Sequence, residues 1–93
     1  MNIDRLKQEL KDLKRLIGRK ELSLRIVKAK LPDLEAKYAA APTTMNKSEV
    51  VMANADRANL EAELSLLVQR RDLLTKQIAE YEQMLQDQPG GPC

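Results

Sequence analysis

Histidine, phenylalanine and tryptophan are absent from the 93 residues, and there are only one cysteine, three glycines and four prolines. Each shortage excludes something. Without histidine no imidazole can ligate a metal or serve as a general base, so Ser23, Ser48 and Ser65 lack the partner that makes a serine nucleophilic. The one cysteine, Cys93, is the last residue, so no internal disulfide can form. Gly18, Gly90 and Gly91 do not build a phosphate loop, and no group of side chains has metal-ligand spacing. No catalytic, cofactor-binding or metal-binding residue is therefore expected, and the chain reads as a non-enzyme. No apolar run approaches the roughly 20 residues of a membrane helix. The first ten residues are charged from Asp4 onward, unlike a signal peptide. Membrane insertion is not expected, and the cytoplasm or the inside of a virion is the expected location.

What remains is aliphatic and charged: 43% hydrophobic, 32% charged and 2% aromatic. That composition suits long helices rather than sheets. The spacing agrees. From Ile3 the series Ile3, Leu6, Leu10, Leu13, Ile17, Lys20, Leu24, Val27, Leu31, Leu34, Tyr38, Ala41 alternates steps of three and four, interrupted only by Lys20. This is a heptad pattern with a at Ile3 and d at Leu6. A second series has a at Val50 and runs Val50, Ala53, Arg57, Leu60, Leu64, Leu67, Arg71, Leu74, Ile78, Tyr81, Leu85, with Arg57 and Arg71 as exceptions. The expected fold is all-α: one domain over residues 1–88, with helices over 2–41 and 47–88 joined by a turn over 42–46, and a Pro/Gly tail over 89–93. Pro42 ends the first helix, and Asn46 with Glu49 reads as a capping box for the second, with Met45 and Val50 as its hydrophobic staple. Pro32 predicts a kink or brief break in the first helix.

So short a linker favours an antiparallel hairpin. A register with Ala41 opposite Val50 sets Ile17 against Leu74, Val27 against Leu64 and Leu6 against Leu85. It brings Lys20 and Arg71 into one polar layer of the seam. Its flanking pairs, Lys37 with Asp56, Lys30 with Glu63, Lys28 with Glu61 and Lys7 with Glu82, are all of opposite sign. Charge is also divided between the halves: residues 1–41 carry eleven basic and six acidic side chains, residues 42–93 five and eight. A basic helix beside an acidic one favours the hairpin.

Five bulky apolar residues fall off the seam on one face: Leu16 at g, Leu22 at f, and Ile26, Leu66 and Leu73 at c. Contiguous exposed apolar surface marks interfaces, so these five are the expected protein-binding residues. One seam also leaves most of each helix wet, and packing against further helices would stabilise the pair. Two functions are expected from different classes. The first is a structural or assembly subunit that docks through apolar helix faces, with itself or into a larger assembly such as a virion, as a minor phage structural protein would. The second is a regulator or adaptor whose basic first helix, with ten Lys and Arg between Arg5 and Lys30, recognises an acidic protein or nucleic acid. The lack of interleaved aromatics weighs against nucleic acid.

Overall fold

A computed structural model describes residues 3–87 of the chain. Two helices account for nearly all of them: α1 (Ile3–Ala40) and α2 (Thr44–Gln86), packed along their length as a hairpin. At about 1.5 Å per residue, the 43 residues of α2 make a rod about 65 Å long. The expected tail, with Cys93, lies outside the described residues.

The heptads dictate which face is covered. Every a and d position of α1 from Ile3 to Tyr38 is buried or half-buried, and Glu9 is the one other α1 residue that shares this cover. Leu6, Leu74 and Ile78 form a buried cluster against which Ile3, Leu10, Leu13 and Tyr81 pack, while Ile17 and Leu31 are buried further along. Of the two charged a positions of α2, Arg57 is exposed and Arg71 half-buried, and Leu85, past the end of the α1 seam, is exposed as well.

The turn is tighter than the sequence suggests, and the cap lies three residues earlier. Thr43, not Asn46, is the N-cap of α2; its hydroxyl oxygen accepts from the Asn46 backbone N–H at 3.1 Å. Asn46 instead occupies the third helical position and is buried. Its side-chain amide donates back to the Ala41 carbonyl at 2.7 Å, satisfying one of the orphan acceptors at the end of α1. The Thr43 N–H also donates to the Ala41 carbonyl, at 2.7 Å, across Pro42. This is a three-residue turn that the fixed φ of proline favours. Met45 is 72% exposed and so forms no staple, and Glu49 reaches across to Lys37 rather than back to a cap.

Pro32 does not interrupt α1, which is α-helical on both sides of it. Proline leaves the Lys28 carbonyl without its helical donor. Pro32 and Lys28 are both exposed, so water can take that place, while Leu31 beside them stays buried in the seam.

The largest departure from expectation is the register. Residue numbers at one height of an antiparallel pair add to a constant, which is 91 when Ala41 faces Val50. Five ion pairs cross between the helices: Lys7–Glu82 at 3.2 Å, Glu9–Arg70 at 3.7 Å, Lys20–Glu63 at 2.7 Å, Lys28–Glu61 at 3.8 Å and Lys37–Glu49 at 3.5 Å. Their numbers add to between 79 and 89, centred near 85. The ends of the turn, Ala40 and Thr44, add to 84. The buried cluster fits the same value, with Ile3, Leu6 and Leu10 falling opposite Tyr81, Ile78 and Leu74. The helices are thus paired one heptad away from the Ala41–Val50 register. A shift of seven keeps every a against a d, so the apolar pattern is equally content with either. Two expected ion pairs, Lys7–Glu82 and Lys28–Glu61, form nonetheless, because helical side chains lean toward their own N-terminus and those of antiparallel helices lean together. Glu63 goes to Lys20 instead of Lys30, and Lys37 to Glu49 instead of Asp56.

Candidate interaction surface

The register moves the two seam cations apart. Lys20 stands at the height of Leu64 and Arg71 at that of Leu13, seven residues or about 10 Å from each other. The single Lys20–Arg71 layer expected from sequence therefore does not exist. Each cation is satisfied separately at the edge of the seam. The Lys20 ammonium meets Glu63 at 2.7 Å, and the Arg71 Nε donates to Asp72 at 3.2 Å. Their side chains are 34% and 35% exposed, so the stems pack while the charges stay wet.

All five expected interface residues are exposed: Leu66 at 67%, then Leu22, Leu73, Ile26 and Leu16 in decreasing order. The register separates them into two groups. Leu66 and Leu73 slide about 10 Å toward the N-terminus of α1 relative to the expected pairing. There they flank Leu16 around the Glu9–Arg70 ion pair. Beside them opens a shallow groove of about 310 Å³ lined by Glu9, Asp12, Leu13, Leu16, Arg70 and Leu74. Leu22 and Ile26 lie higher, toward the turn.

The exposed apolar surface also extends beyond the five. Met45 and Met52 are exposed near the turn. With Leu66 and Leu73 they occupy c positions of α2, and Ala55 and Ala62 fill f positions between them; Asn59 at c and Ser48 and Gln69 at f are the polar breaks in the series. All of these are exposed. Helix α1 carries a similar c/f stripe through Leu22, Ile26, Ala29, Ala36 and Ala40, broken by Asp33, and it too is exposed. Attention to bulky residues alone passes over these stripes because many of their members are alanines. The signal that finds them is a second heptad, in phase with the first. At 100° per residue the c/f stripe points about 160° away from the a/d seam, so each helix is amphipathic toward its partner and again toward the outside.

Among the described residues no three potential metal ligands gather, and no helix is long and apolar enough to cross a membrane. Lys30 makes no ion pair there, and neither do Arg5, Lys11, Lys14, Arg15, Arg19 and Arg25. No protein-family model matches the chain, and neither the curated proteins nor the solved structures include a match to it.

Proposed function

We propose that this chain is a non-enzymatic structural subunit, a helical hairpin that takes its place in a larger protein assembly by docking through its outer helix faces. A minor structural component of a virion is the setting we favour. The observation that carries the reading is the second, outward-facing apolar heptad on both helices. Surface-exposed leucines scattered singly are ordinary. Apolar residues at six of the nine c and f positions from Met45 to Leu73 of α2, broken by Ser48, Asn59 and Gln69, are an exposed apolar surface.

The test is the double substitution Ile26→Glu and Leu66→Glu. Both positions are exposed, so helicity by circular dichroism should be unchanged. Association, read as mass in solution and as recovery of partners from the native source, should be lost. Unchanged mass together with unchanged recovery would sink the proposal.

A second reading rests on the basic residues of α1 that make no ion pair among the described residues. It makes the hairpin an adaptor for an acidic protein or a nucleic acid. A salt titration separates the two readings, because a phosphate-binding surface loses affinity steeply with salt and an apolar face does not.

A further inference from the structure

The outer stripes of the two helices complement each other in shape and in charge. We propose, resting on the assembly reading, that the partner is another copy of this chain, and that the c/f stripe of α1 packs antiparallel on the c/f stripe of α2 from the neighbouring copy. In such a seam c meets f as a meets d in the inner one, so facing residue numbers add to 88 or differ from it by sevens, as 81 and 95 do. A sum of 81 sets Leu22 against Asn59 and Leu66 against Arg15, and a sum of 95 sets Ile26 against Gln69. A sum of 88 sets Leu22 against Leu66, Ile26 against Ala62 and Met52 against Ala36, and leaves Leu73 facing Arg15 beyond this stretch. Apolar residues then face each other at all three layers, and at two of them a large side chain meets a small one, as knobs require holes. The polar breaks fall on small residues, Asn59 on Ala29 and Asp33 on Ala55. Asp33 also has Lys30 and Lys37 three and four residues away on its own helix, within reach of its charge.

Charge selects this pairing over the like-with-like alternatives. The half containing α1 carries eleven basic and six acidic residues and the half containing α2 five and eight, so α1 on α1 or α2 on α2 sets like charge against like. Along the g edge of the new contact Lys30 meets Asp56 of the next copy, and neither has an ion pair among the described residues of its own chain. Lys37, which pairs with Glu49 of its own chain, faces Glu49 of the next copy as well, and between Leu22 and Ala40 no flanking pair is like-charged.

The contact is heterologous, since each copy offers α1 to one neighbour and α2 to another. Equal height within one hairpin corresponds to a sum of 84, so a sum of 88 steps each copy about 6 Å along the rod. A heterologous contact with such a step does not close into a ring; it runs on as a staggered sheet or tube. The 160° between the two seams of each helix makes the array nearly flat, with basic and acidic helices alternating.

The experiment uses the full-length chain with Cys93→Ser, carrying either Ala29→Cys or Asn59→Cys. The two variants are mixed and treated with a short thiol crosslinker. The mixed product should exceed either like-with-like product by about tenfold, and the variant carrying both cysteines should give a ladder of multiples of the chain mass. Lys30→Glu should weaken the ladder and Asp56→Lys in the same chain should restore it. Dominant like-with-like products, or a chain that stays monomeric at millimolar concentration, would overturn this inference. A monomer whose capture of a different partner still depends on Ile26 and Leu66 would overturn it too, while leaving the assembly reading standing.

Discussion

Lys20 and Arg71 show how one side chain at an apolar position is tolerated in a two-helix seam. Each keeps its side chain about two-thirds covered and hands its charge to a carboxylate at the rim. The ion pairs are exposed enough to contribute no more than about 1 kcal/mol each. A leucine at either position would bury apolar surface worth about 1.5–3 kcal/mol if fully covered, and less at a half-exposed position. Lys20→Leu and Arg71→Leu should therefore each stabilise the hairpin, by about 1 kcal/mol after the ion pair is subtracted. Because the residues stand about 10 Å apart in height, the two gains should add to within about 0.5 kcal/mol. A double-mutant cycle by urea unfolding checks both points. A large coupling energy would place the two in one layer and contradict the register. A loss of stability in Lys20→Leu would mean that the Glu63 contact outweighs burial.

At the scale of the element, α1 and α2 are held by their ends and weakened at identifiable interior positions. The turn stands on Thr43 and Asn46, which between them serve a backbone donor of α2 and the Ala41 carbonyl. Thr43→Ala and Asn46→Ala should each cost about 1 kcal/mol, the usual loss for a helix cap or a part-buried hydrogen bond. A silent Thr43→Ala in thermal unfolding would restore Asn46 as the cap. Within α1, Gly18 is helical and a methyl group added there meets nothing within 4 Å. Gly18→Ala should raise stability by about 0.5–1 kcal/mol, from backbone entropy alone. Failure of that gain, measured by the same unfolding, would show that α1 is not helical at this point.

For the whole molecule the decisive quantity is the register, because it sets which parts of the outer surface lie side by side. In a Cys93→Ser background, cysteines at positions 10 and 74 should form a disulfide within one chain under dilute oxidising conditions, while cysteines at 17 and 74 should not. Closure of the second pair and not the first would return the helices to the Ala41–Val50 register. It would also move Leu66 and Leu73 back beside Leu22 and Ile26, and would reverse the axial step between copies that the array requires.

The heptads of Ile3 to Tyr38 and Val50 to Tyr81 were enough to determine two helices, their buried faces and their antiparallel pairing, because side-chain periodicity and a short linker are local properties of the chain. The exposure of Leu16, Leu22, Ile26, Leu66 and Leu73 followed from the same arithmetic. The register did not, since a slip of seven residues replaces each a–d contact by an equivalent one and leaves the apolar pattern unchanged. Only the closed turn chose between the alternatives. Thr43 and Asn46 bind the end of α1 so tightly that Ala40 and Thr44 must lie at one height, and the long lysine and glutamate side chains then find partners within reach. Asn46 as a donor to Ala41 was equally hidden, because its role depends on a carbonyl brought to it by the turn, five residues back in the chain and visible only once the chain has folded upon itself.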